Sequence, residues 1–413
     1  MNKTWEFLFG LRNKGSKFGI ERMRMLVDLI GNPQDEFRII HVAGTNGKGS
    51  VCAMLDSIYR EKHYLTGLFT SPHLIDLGER IRVGGEMISE AQIEKWVNWL
   101  MPKAQEVEKK YKLGYPTFFE FMTAVAFLYF REKNIDVAII ETGLGGRLDS
   151  TNVVKPDLSV ITSISKDHCN ILGNTVEEIA REKAGIIKPN TPVLSGFLPD
   201  CVFKVISEIA KKKYAPIYYL DDEKNDHIPE TNLVGNYQKK NAALAKRAIE
   251  ILEKKIPVGL DSIIRGLRRV KLIGRWQIIE NPCRIILDAC HNEAGAICLK
   301  ENLLNLKEKP EIWVGVLGNE RAPYIMKVIS QFASSIKLFE IDQPRACSAD
   351  FLKSHVCNSF SGEIIDFEIE KVKNYISNYD SSKTILVTGS IYLIGQILGI
   401  LKSRRALDLN DLF

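Results

Sequence analysis

The chain has 413 residues, 45% of them hydrophobic and 26% charged, with a formal net charge of +5. That length exceeds what one hydrophobic core ordinarily supports, so two domains are expected, and the composition excludes a disordered or low-complexity protein. The modest positive balance suits anionic ligands but lacks the dense Lys/Arg stripe of a nucleic-acid reader, and no run of about 18 apolar residues marks a membrane span.

In chain order, the first residues carry no sustained apolar core followed by a small-residue cleavage site, so no export is expected. RIIHVA at 38–43 reads as a short buried strand, followed by a glycine-rich turn and a helix over 50–61. A strand at 66–69 and helices near 91–111 and 118–133 continue the alternation, with Ser89 and Gln92 as a capping signal. DVAIIE at 136–141 and DLSVITS at 157–163 are too short for helices and rich in β-branched residues, as central parallel strands are. Thr175 with Glu178 opens a helix through Lys183 that Gly185 is expected to stop. The polar stretch 221–230 reads as a loop, and a helix follows at 239–254. Strands at 284–288, 312–317, 335–341 and 384–388 form a second alternation, so a domain boundary is expected near Trp276. No internal repeat is evident. The eight cysteines, at 52, 169, 201, 283, 290, 298, 347 and 357, make neither a CxxC nor a zinc spacing. They read as reduced thiols of a cytoplasmic protein.

Gly44-Thr45-Asn46-Gly47-Lys48-Gly49-Ser50 lies between an expected strand and an expected helix, where backbone N–H groups and a lysine can cradle phosphates. It departs from the general phosphate-loop pattern: Val42 stands where the first glycine belongs, and Gly49 separates Lys48 from Ser50. From the residues alone, a glycine-rich turn without a ligand stays open. Likewise His168 could be a structural histidine, Glu141 a helix-capping carboxylate, and Lys183 a lysine complementing a helix dipole. His63, His227 and His355 match no motif and read as structural, and Cys290, with no base beside it, reads as a buried small hydrophobe.

HVAGTNGKGS at 41–50, TSPHL at 70–74 with ERI at 79–81, ETGLGGRLDSTN at 141–152, DHCNILGNTVEEIAREKAGIIK at 167–188 and LDACHN at 287–292 occur in one order. Together they resemble the folylpolyglutamate synthase and dihydrofolate synthase family of the Mur ligase superfamily. The resemblance extends to Ser390. It implies an α/β protein with an N-terminal P-loop-type, mostly parallel sheet domain, residues 1–275, and a smaller Rossmann-like C-terminal domain, 276–413. It implies an ATP-dependent amide ligase that adds L-glutamate to dihydropteroate, to folate polyglutamates or to both, through an acyl phosphate, with the bifunctional type favoured by Asp149 and the Thr117 region. A monomer is expected, with small-molecule substrates and neither nucleic acid nor membrane as partner.

Residue by residue, the resemblance assigns ATP binding to Thr45, Asn46, Gly47, Lys48, Gly49, Ser50, Asn241, Arg275, Asp288 and His291. It assigns catalysis to Lys48, Lys183 and His168, and two Mg²⁺ sites to Ser71, Glu141, His168 and Lys183, the last as a carbamylated lysine. Pterin or folate binding falls to Thr117, Phe118, Leu148, Asp149 and Ser150, although Phe118, Phe119, Phe121 and Met122 would supply core aromatic and thioether groups in any case. Three positions depart from the family pattern: Ala289 replaces glycine, Cys290 alanine and Glu293 proline. Two rivals remain. A peptidoglycan-type amide ligase shares the loop and the lysine, but a sugar-nucleotide domain ahead of the loop is then expected, and only 43 residues precede Gly44. A non-catalytic ATP-binding regulator would not need Lys48, Glu141, His168 and Lys183 together.

Overall fold

The computed structural model describes residues 3–12, 19–220 and 229–402. The expected loop at 221–230, with His227, lies outside the described residues except for 229–230. Two sheets organise the chain. The larger has eight strands, β1 (Arg38–Ala43), β2 (Thr66–Phe69), β3 (Ile81–Val83), β4 (Glu86–Met87), β5 (Val137–Glu141), β6 (Leu158–Ile161), β7 (Val193–Ser195) and β8 (Ile217–Tyr219), in the order β4-β3-β2-β5-β1-β6-β7-β8. From β2 to β8 all neighbours are parallel, and β3 and β4 add an antiparallel edge. The smaller sheet holds β9 (Gln277–Ile279), β10 (Arg284–Asp288), β11 (Glu311–Val314), β12 (Ser335–Leu338), β13 (Ile364–Asp366) and β14 (Thr384–Thr388), ordered β13-β12-β11-β14-β10-β9, with only β9 antiparallel.

Helices cover both faces of the first sheet, and for that reason β1, β5 and β6 are apolar along nearly their whole length. On one face the helix Phe118–Glu132 buries Phe121, Phe127 and Phe130 against Met23 and Leu26 of the helix Glu21–Leu29. Arg22 and Glu120 join these two helices by an ion pair of 3.1 Å in which both side chains are buried. On the other face the helix Lys48–Glu61 packs against Asn236–Leu252 and Leu260–Arg268. Gly266 permits the second approach, since a Cβ there would lie 2.5 Å from the Ile58 Cα. Among the described residues no helix is long and apolar enough to cross a membrane.

The structure revises some local expectations. The strands expected at 312–317 and 335–341 end at Val314 and Leu338: beyond them Leu317 lines the first cavity, and Phe339 and Ile341 pack into the core of the second domain. The helix Val176–Lys183 does not stop at Gly185 but tightens into a 3-10 turn over Ala184–Ile186. Gly185 is needed there for close packing, as its Cβ would sit 2.3 Å from the Arg147 Cβ.

Candidate active site between the two sheets

β1, β5 and β6 are adjacent and parallel, so the loops leaving their carboxyl ends converge on one edge of the first sheet, the customary ligand position in such sheets. The loop after β1 is held by the loop after β6. Thr45 N donates to Ser163 O at 2.7 Å, Asn46 N to Ser163 Oγ at 3.1 Å, and Thr162 Oγ1 to Asn46 O at 2.6 Å. Lys48 folds back over the turn, its Nζ donating to Gly44 O and Thr45 O at 3.1 and 3.2 Å. Gly47, at φ 86°, opens the helix Lys48–Glu61.

Gly44 allows the tightest approach. A Cβ there would lie 1.9 Å from Thr162 Oγ1. Gly44→Ala must displace the Thr162 hydroxyl that braces the loop, so a loss of about 1–3 kcal/mol of stability is expected from overpacking, together with weaker nucleotide binding. Thermal denaturation and nucleotide titration of the purified variant check both effects.

Two of the cavities beside this loop are lined by its Asn46, Gly47 and Ser50. The first, about 160 Å³, is lined by Lys48, Ser71, Glu141, His168, Lys183 and Arg275, among others. These residues come from five separate segments, and the structure brings them together. Glu141, at the end of β5, is buried and accepts the Ser71 N–H at 3.1 Å. Burial raises its pKa, with Lys48, the Ser71 amide, Arg275 and Arg80 pulling the other way. Lys183 is 4% exposed, and its Nζ donates to Gly44 O at 2.8 Å. Burial, then the neighbouring Lys48 charge, brings its pKa down to about 7, with Asp167 and Asp149 opposing. Burial also lowers His168 to about 4, so its imidazole is neutral at physiological pH.

The second cavity, about 230 Å³, is lined by Asn46, Phe197, Tyr237, Lys240, Asn241, Arg275, Asp288 and His291, among others. It combines aromatic faces with a few polar groups, and it shares Asn46, Gly47 and Ser50 with the first cavity, as a site for a base joined to phosphates would. Asp288 lies in its wall, with burial raising its pKa to about 6. Its carboxylate accepts Trp276 N at 3.1 Å and so ties the interdomain segment down. Arg275 donates to Ala289 O at 2.9 Å. Ala289 itself is not among the residues of positive φ, so this site does not need the family's glycine.

Asp167, quoted in a motif but given no role from the sequence, joins the two halves. It accepts Arg321 at 2.6 Å and Asn292 Nδ2 at 3.1 Å, and His291 Nε2 lies 3.7 Å away. Burial opposes its ionisation, but His291, Arg321, His168 and the Asn292 hydrogen bond outweigh that and hold the carboxyl well below the usual range. Asn292 also exchanges amide hydrogen bonds with Asn46 at 3.1 and 3.2 Å, while its oxygen caps the helix Glu293–Leu303 through Gly295 N. The only sequence signal for Asp167 was its place beside His168 after a strand. Arg321 sat in no motif.

The expected pterin and metal residues occupy different environments. None of the pterin candidates Thr117, Phe118, Leu148, Asp149 and Ser150 lines either cavity. Thr117 caps the helix Phe118–Glu132, and Phe118 is buried with the Arg80 guanidinium 5.4 Å from its ring centre. Asp149 accepts Leu144 N, Thr151 N and Thr151 Oγ1, and Ser150 Oγ bonds Thr123 Oγ1 at 3.0 Å, so these buried polar groups are fixed by neighbours within the first domain. Asp149 thereby shapes the loop whose Gly143, Leu144 and Gly145 do line the first cavity. Ser71, Glu141, His168 and Lys183 share a wall of the first cavity, while among the described residues no three His, Cys, Asp or Glu side chains converge to hold an ion. That donor set suits Mg²⁺, which takes one or two carboxylates and fills its shell with phosphate and water oxygens, better than a metal needing an all-protein cage.

Comparison with known proteins agrees with this geometry. Residues 42–259 match the Mur ligase middle domain. A dihydrofolate synthase/folylpolyglutamate synthase of Bacillus subtilis is 37% identical, covering 97% of this chain and 98% of its own, and that of Escherichia coli K12 is 29% identical over 98% and 96%. The Mycobacterium tuberculosis folylpolyglutamate synthase complexed with ADP and AMPPCP superposes with a TM-score of 0.86 at 28% identity, covering 98% of this chain and 99% of its own. A bifunctional folylpolyglutamate synthase/dihydrofolate synthase with Mn, AMPPNP and L-glutamate bound gives 0.83 at 27% identity, over 97% and 98%. With a phosphate loop, a converged carboxylate and lysine, and relatives matched over nearly its full length, this chain belongs to the folylpolyglutamate synthase/dihydrofolate synthase family of Mur-type ligases.

Proposed function

We propose that this protein is an ATP-dependent ligase that joins L-glutamate to dihydropteroate and to reduced folates, the bifunctional activity carried by the name of its Bacillus subtilis relative. The observation that carries the reading is the gathering of Lys48, Glu141, His168 and Lys183 on one cavity wall that is continuous with a base-sized pocket.

In this reading residues 1–275 form the ATP-binding part and 276–413 the ligase part. The amides of Asn46 to Ser50 and Lys48 hold the phosphates, and Asn241, Asp288 and His291 surround the nucleoside. The acceptor carboxylate attacks the γ-phosphate to give an acyl phosphate and ADP, and the glutamate amine then displaces phosphate to leave the amide. Closure of the Asp167–Arg321–Asn292 contacts excludes water from the hydrolysable acyl phosphate. Ser71, Glu141, His168 and a carbamylated Lys183 would hold Mg²⁺, which offsets the charge that gathers between two anionic reactants. A lysine with a pKa of about 7 is partly a free amine at neutral pH, the form that captures carbon dioxide. The protein acts as a cytoplasmic monomer on small molecules.

The test is phosphate release from Mg-ATP and L-glutamate with dihydropteroate, with tetrahydrofolate and without acceptor. Release with both acceptors is expected. Release with one alone assigns the narrower enzyme, and no acceptor-dependent release sinks the folate reading.

A further inference from the structure

We infer that Arg345 reads the side-chain carboxylate of the incoming amino acid, a specificity role that rests on the ligase reading above. Five cationic side chains line the first cavity: Lys48, Lys183, Arg275, Arg321 and Arg345. Four of them are engaged. Lys48 and Lys183 donate to the carbonyls of the phosphate loop, Arg275 donates to Ala289 O, and Arg321 pairs with Asp167. Among the described residues, no carboxylate pairs with Arg345.

The backbone under Arg345 is nevertheless fixed. Its carbonyl accepts Gly318 N at 2.9 Å, Ala346 bridges antiparallel to Leu317, and Cys347 N donates to Val316 O at 2.9 Å. Leu317 and Arg345 therefore face the cavity together from the end of β11, on the wall contributed by the second sheet. A guanidinium with a held base and a free fork is suited to a carboxylate, which it can grip through two parallel hydrogen bonds.

The chemistry of the second substrate decides which carboxylate. The α-carboxylate is one carbon from the attacking amine and stays beside the reacting carbonyl. The side-chain carboxylate lies farther along the molecule, within reach of a cationic wall residue such as Arg345, which lines the cavity and is exposed. A site that offers a dedicated partner to a charged group rejects the analogue that lacks it, because the partner is left unpaired.

Steady-state phosphate release by the full chain, at saturating ATP and acceptor, tests this. Arg345→Ala is expected to raise KM for L-glutamate by about tenfold or more while KM for ATP and for the acceptor stay within about twofold. Preference for L-glutamate over L-glutamine, used as alternative substrate or competitor, should fall by a similar factor. Arg345→Lys should recover part of the loss. An unchanged KM for L-glutamate in both variants overturns the inference. So does an equal loss toward glutamate and glutamine, which would assign Arg345 to the α-carboxylate. Wild-type protein that shows no glutamate-dependent release fails the ligase reading itself, and the assignment of Arg345 falls with it.

Discussion

Lys183→Ala is expected to lower turnover by about 10²–10³-fold, the usual effect of removing a preorganised charge from a phosphoryl- or acyl-transfer site. The informative comparison is Lys183→Arg. If Lys183 only complements a helix end or donates to Gly44 O, arginine keeps the cation and much of the activity survives. If a carbamate is required, arginine cannot form it, and activity falls as far as with alanine. The pH dependence has a definite sign. The pKa of Lys183 is depressed from 10.5 to about 7 by burial and by Lys48. Below about 7 the side chain is an ammonium that does not react with carbon dioxide, so activity should fall as pH drops through that region and should depend on bicarbonate. Depleting bicarbonate at neutral pH and restoring it should lower and recover wild-type rates. Indifference of the wild type to bicarbonate, combined with an active Lys183→Arg variant, would remove the carbamate from the mechanism.

The second large effect is expected at Asp167. Its carboxylate is nearly buried and, besides the neighbouring His168 N–H at 2.9 Å, is held by the second domain through Arg321 at 2.6 Å and Asn292 at 3.1 Å. Asp167→Ala leaves the Arg321 guanidinium, itself largely buried, with only the exposed Glu320 at 3.6 Å in place of its buried counter-charge, and breaking one side of a buried pair costs about 3–5 kcal/mol. In a two-domain protein that cost need not unfold either half, because opening the cleft returns Arg321 to water. The expected result is therefore a more open molecule in solution scattering and a kcat/KM lower by about 10²-fold or more, with each domain's folding little changed. The double variant Asp167→Ala/Arg321→Ala should be much less impaired than the product of the two single effects predicts. Strictly multiplicative losses would show that the two residues act separately and would sink the closure role.

The main strands of the first sheet and the glycine-rich loop were legible because they are local patterns: short β-branched runs, capping pairs such as Thr175 and Glu178, and a glycine turn between strand and helix. The convergence of Glu141 and His168 was also foreseeable, since they follow two parallel strands that flank β1 and whose carboxyl ends share an edge. Short edge strands such as β8 and β13 escaped notice, having only three residues each and no complete alternation to read. The pterin candidates show where a local pattern stops. Asp149 and Ser150 carry chemistry-bearing groups, but whether such a group faces a ligand or a neighbouring hydroxyl is settled by packing.

By itself, then, the sequence determined two successive α/β units, a phosphate loop around Lys48, and the family whose segments occur in this order. The tertiary structure alone decided that Lys183 is buried against Gly44 O, that Asp167 is the point where the halves meet, and that Arg345 faces the same cavity. The physical reason is separation along the chain. Asp167 and Arg321 are 154 residues apart, and Asn46 and Asn292 are 246 apart. The burial that shifts a pKa, and the partner that satisfies or leaves a charge, are properties of neighbours that no local window of sequence contains.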